Sequence, residues 1–151
     1  MLPRCKRMSN LLPLPLTSEA LTAEWLTAAL APEFPGSVVE SVRVADVMTG
    51  TSTKIRIALG YNVIGRMHGL PATLIVKGGF EPHSPQLWGV NRAETSFYGN
   101  LQHRITMRSP RCYYAGLDPD GYQSVIILED LDVRGVTWLR YGSREGVRYS
   151  V

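Results

Sequence analysis

Alternation of apolar and polar residues dominates the middle of the chain. From Lys54 to Leu59, Ile55, Ile57 and Leu59 alternate with Lys54, Arg56 and Ala58, the period of two that turns one strand face to a core and the other to water. Val38 to Val47 is rich in β-branched residues and predicts a strand before it. Met48-Thr49-Gly50-Thr51-Ser52-Thr53 separates the two with small polar residues. Thr73 to Lys77 predicts a short third strand, and Pro110 to Ala115 a fourth. Asp118-Pro119-Asp120-Gly121 is a turn signal, after which Tyr122 to Leu128 is a fifth strand. That strand is apolar on both faces from Val125 to Leu128, as a central strand should be.

Two stretches have helical spacing. Thr22 is a candidate N-cap with Glu24 in the first turn, and Leu21 and Leu26 stand at staple positions on either side. Trp25, Leu26, Ala29 and Leu30 follow as one apolar face, ended by Pro32 and Pro35-Gly36. Gln86 to Leu101 predicts the second helix, with Ala93, Phe97 and Leu101 on one stripe and Glu94 and Tyr98 beside them. Tyr61 to Pro71 is expected to be a loop, and Gly78-Gly79 with Pro82 to Pro85 another. The order is helix, three strands, helix, two strands. It predicts an α+β fold with a mostly antiparallel five-stranded sheet and two helices. Residues 1–16 are expected to form an N-terminal arm, 17–135 the folded lobe and 136–151 an irregular tail; Met8 is an alternative start.

Length and charge narrow this picture modestly. A chain of 151 residues is one domain or a piece of one. The net charge of +3 is too small, and the basic residues too dispersed, to imply nucleic acid. No apolar run reaches the roughly 18 residues of a membrane helix. Leu11 to Leu16 follows basic residues as a signal peptide would, but two prolines interrupt it and no cleavage site follows. Cys5 and Cys112 are expected to be reduced thiols, consistent with a cytoplasmic location.

Candidate chemistry sits on the predicted sheet. Lys77 terminates an apolar strand, where an ammonium can meet phosphate oxygens or simply point into water. Glu94 lies on the following helix and can be aimed at that lysine, or face solvent as helical glutamates commonly do. The turn around Gly50, Thr51 and Ser52 can lay amides over phosphates, or be an ordinary hairpin turn. Leu128-Glu129-Asp130-Leu131 ends a buried strand, where a carbonyl and an amide can meet an adenine edge or merely begin a turn. Asp130 and Asp132 lack a third ligand at metal spacing. His68, His83 and His103 are scattered, with neither metal-ligand spacing nor a nucleophilic triad.

In this order the residues resemble the aminoglycoside phosphotransferase-like and ecdysteroid kinase-like group of small-molecule kinases. The resemblance runs from about Leu21 to Gly135. It is carried by Leu21-Thr22-Ala23-Glu24-Trp25-Leu26, Gly50-Thr51-Ser52 before Arg56, Pro71 to Lys77, Arg92-Ala93-Glu94-Thr95-Ser96-Phe97-Tyr98, Pro110 and Ile127-Leu128-Glu129-Asp130-Leu131. It implies the smaller lobe of a protein kinase-like fold, with ATP as phosphoryl donor, Mg²⁺ and a small-molecule hydroxyl as acceptor. Lys77 would contact the α- and β-phosphates and Glu94 would hold it. Gly50, Thr51 and Ser52 would cover the phosphates. Ile75 and Leu128 would wall the adenine pocket, and the Glu129 carbonyl and Leu131 amide would meet the base. The family's second lobe carries a His-Gly-Asp catalytic loop and a later metal-binding Asp, and neither follows Leu131. The resemblance therefore implies a fragment, truncated or frameshifted near Thr137, inactive alone and with its Mg²⁺ ligands elsewhere. The alternative is a non-catalytic interaction module that self-associates through the face left open.

Overall fold

The computed structural model describes residues 12–50 and 52–135. Cys5, Thr51, most of the expected arm and the expected tail from 136 onward lie outside the described residues. Helix α1 (Ala23–Leu30) starts at Thr22, whose side chain accepts from the Trp25 amide at 3.2 Å. Strands β1 (Val39–Met48) and β2 (Thr53–Tyr61) follow, then a short helix α2 (Val63–Met67) and β3 (Thr73–Gly78). Helix α3 (Trp88–Ser96) continues into a π-helical turn at Phe97–Leu101. Strands β4 (Cys112–Asp118) and β5 (Gln123–Glu129) close the sheet, and a 3-10 turn spans Leu131–Arg134. Among the described residues, no helix is long and apolar enough to cross a membrane.

The sheet has five strands in the order β1-β2-β3-β5-β4, and every neighbouring pair is antiparallel. The fold is therefore α+β, as the pattern predicts. Its last strand, β5, lies between β3 and β4, the interior position its two-sided apolar run demands. Alternation sorts the two faces. Ile55, Ile57, Leu74, Val76, Val125 and Ile127 are fully buried on one face. They join Leu21, which precedes α1, and Leu26 and Leu30 from α1 in the main core. Burying each of these aliphatic side chains contributes about 1.5–3 kcal/mol. Leu12 and Leu14, from the described end of the expected arm, pack on the same core. The Gln123 side-chain amide donates to the Pro15 carbonyl at 2.7 Å and fastens this segment to β5.

Two expectations need correction. The segment Tyr61 to Pro71, read as a loop, contains α2. The Asn62 side chain caps it by accepting from the Gly65 amide at 2.9 Å, accepts from the Val38 amide at 3.1 Å and donates to the Gly36 carbonyl at 3.0 Å. Capping of this kind offsets the poor helix propensity of the glycine inside it. In α3 the rotation differs from the expected stripe. Ala93 and Leu101 are exposed, whereas Asn91, Thr95 and Gly99 are buried against the sheet. These residues recur at the helical period and leave Glu94 beside them, facing β3. The helix thus docks by small and polar side chains, and of the expected stripe Ala93 and Leu101 point outward while Phe97 is half-buried.

Candidate functional site

The second sheet face carries the site. Arg56, Ile75, Leu128 and Cys112 lie in register across β2, β3, β5 and β4. One pleat along, Lys54, Lys77, Ile126 and Ala115 form a parallel row. Lys77 is the penultimate residue of an interior strand, not of an edge strand. Its Nζ lies 2.5 Å from Glu94 Oε1, joining β3 to α3 across 17 positions of sequence. The side chains are 16% and 33% exposed, so the pair is only partly screened by water. The tie fixes a flexible four-carbon side chain and leaves the other ammonium hydrogens free for a ligand.

Around this pair lies a shallow depression, open to solvent, lined by Ser52, Lys77, Glu94, Asn91, Thr95 and Ser124. Gly78 belongs to the same lining and is sterically required: a Cβ there would stand 2.8 Å from the Phe80 ring and 3.0 Å from the Ser124 carbonyl. Gly50, at the β1–β2 turn, is exposed, and a Cβ there would meet nothing closer than 3.9 Å. Ser52 reaches the depression, and Thr51 lies outside the described residues.

Ile75 and Leu128 are direct cross-strand partners in a second apolar cluster with Cys112, Ala115, Ile126 and Tyr98. Leu128 is 5% exposed, so Ile75 offers the more open surface of the two. Burial, reinforced by the charge of Glu94 and by Cys112, raises the Tyr98 hydroxyl above its ordinary range and keeps it protonated. Glu129 is turned towards β4. Its amide donates to the Arg111 carbonyl at 2.8 Å, and its carboxylate accepts from the Arg111 amide at 3.2 Å. Leu131 opens the 3-10 turn, so its amide lacks a partner within that turn.

The turn is fastened by a residue that the sequence reading left without a role. Arg56 spans β3 and reaches Asp130, its Nε 2.9 Å and its Nη2 3.4 Å from the two carboxylate oxygens. It also donates to Asp132 and lies 3.8 Å from Asp46. Asp130 is 3% exposed and also accepts from the Asp132 amide at 3.2 Å. Burial works against the Arg56 charge, but the hydrogen bond and charge of Asp130, then of Asp132, outweigh it and raise its affinity for the proton. Asn91, Thr95 and Ser124 were likewise missed. The first two stand three before and one after Glu94, a polar helical face that the apolar stripe obscured.

Metal ions find no ligand set among the described residues. Glu94 holds Lys77, and Asp46, Asp130 and Asp132 surround a guanidinium. Mg²⁺ does not fit this constellation as it stands. His68 lies 3.3 Å from the Pro35 carbonyl and edge-on to Phe34, away from the site. No family model, curated protein or solved structure matches the chain.

Proposed function

We propose that this chain carries the nucleotide-binding lobe of an ATP-dependent phosphotransferase acting on a hydroxyl of a small molecule. The observation that supports the reading is the Lys77–Glu94 pair, formed from an interior strand to the packed helix over a small-residue turn. Phosphoryl transfer depends mainly on positioning and charge stabilisation. Lys77 provides a cation held at a defined spot. Ser52, Asn91, Thr95 and Ser124 provide hydroxyl and amide groups around it. Ile75 provides apolar surface for a base in the row that it shares with Leu128. These residues bind and orient; none of them is positioned to remove a proton from an acceptor hydroxyl.

The test is a thermal shift with ATP and Mg²⁺. The wild-type chain should be stabilised, by about 2.7 kcal/mol at a hundredfold excess over Kd, and Lys77→Ala should abolish the effect. Stabilisation equal in both proteins would remove the reading. Turnover of a hydroxyl substrate by this chain alone is expected to stay at background.

A second reading, a non-catalytic interaction module, draws on the outward stripe of α3 and the segment after it. Val90 is 57% exposed, Leu101 50% and Met107 65%. Exposed apolar surface of this kind promotes association. Concentration-dependent oligomerisation without any response to ATP would favour it.

A further inference from the structure

Lys54 stands directly opposite Lys77 in the β2–β3 ladder. It shares the phase of Arg56, opposite to buried Ile55 and Ile57, so both lysines lie on the site face. Directly opposed residues of an antiparallel pair have Cβ atoms about 5 Å apart, and like charges there destabilise the sheet. Lys77 has Glu94 as a partner. Among the described residues, Lys54 is exposed and has no carboxylate within ion-pair distance. Glu81, beside the same hairpin, is engaged by the Thr53 hydroxyl at 2.8 Å.

The neighbouring row is the reverse. Arg56 is met by three carboxylates, those of Asp46, Asp130 and Asp132. Charge on this face is therefore sorted by position. The row beside the β1–β2 turn has two cations and one carboxylate; the row leading to the β5 turn has one cation and three carboxylates. The surplus positive charge lies beside the polar depression.

We infer that Lys54 is a second phosphate-binding cation, and that it and Lys77 together hold a polyphosphate chain rather than a single phosphoryl group. The inference rests on the nucleotide reading above and deepens it. An anionic ligand bridging the two ammoniums removes the repulsion built into the ladder. Lys54, on a flexible stem with three donors, can follow the distal phosphates.

The experiment compares wild type, Lys54→Gln, Lys54→Glu and Lys77→Ala by calorimetric titration with ATP, adenosine and inorganic tripolyphosphate, at low and moderate salt. Lys54→Gln should weaken ATP and tripolyphosphate by about tenfold, the scale of one charge-assisted contact, and leave adenosine unchanged. Lys54→Glu should weaken both polyphosphates further. Without ligand it should melt at a higher temperature than wild type, because a carboxylate then faces Lys77. Wild-type affinity for tripolyphosphate in Lys54→Gln, with loss in Lys77→Ala, would overturn the role of Lys54 and leave the nucleotide reading standing. Failure of the wild-type chain to bind either polyphosphate would overturn both. A lower melting temperature for Lys54→Glu would show that no repulsion is stored at this position and would also count against the inference.

Discussion

Lys77 and Glu94 form one unit, and substitutions should reveal it. Removing either partner leaves the other partly buried and unpaired, so Glu94→Gln should cost about 1 kcal/mol of stability and most of the affinity for ATP. A double-mutant cycle with Lys77→Met, followed by urea unfolding, should give a coupling well above the few tenths typical of unrelated sites. Additive effects would mean that the pair is incidental. Glu33 obeys a different balance. Burial raises its carboxyl, against the hydrogen bond and charge of Arg111, whose Nη2 lies 3.0 Å from it. A carboxyl raised on folding adds stability below its unfolded range, and that contribution is lost as pH rises through the folded value. Glu33→Gln keeps an acceptor for Arg111 and removes the titration. It should gain on wild type as pH rises from the ordinary glutamate range through the raised folded value. Parallel stability–pH curves for the two proteins would contradict this.

Among the elements, the turn after β5 is held from a distance. Asp130 ties it to Arg56 on β2, with β3 lying between. Asp130→Asn should cost about 1–3 kcal/mol and speed amide exchange at Asp132 and Gly135, while α1 stays protected. The short helix α2 depends on Asn62, and Asn62→Ala should cost about 2 kcal/mol, at the upper end for a cap, measured by thermal unfolding. These elements were unevenly legible in the sequence. The alternation in β2 and the two-sided run in β5 announced themselves because burial imposes a period that residues cannot hide. The α1 cap was equally plain. The orientation of α3 was not, because Asn91, Thr95 and Gly99 are small or polar and give no apolar signal. The site showed the same division: Lys77 and Glu94 stood out by element and order, whereas Arg56 meets Asp130 across 74 positions, and only the tertiary fold brings them together.

In the whole molecule, one face of the sheet is dry and the other carries charge. The dry face supplies most of the stability. Ile57→Ala, at a fully buried position, should therefore cost about 2–5 kcal/mol in urea unfolding. The charged face carries the candidate site, and its rows of like and unlike charge are laid down by strand register. The strand order also bears on how the molecule forms. Because β5 lies between β3 and β4, those two older strands cannot pair with each other. During synthesis β1, β2 and β3 can already stack as a meander, but β4 has no edge to join until β5 has emerged. In the finished sheet β5 pairs with β3 on one side and with β4 on the other. Assembly of the sheet is thus gated by the arrival of residues 123–129, and a ribosome pausing just before them would hold open an unpaired β3 edge on which a second chain could nucleate.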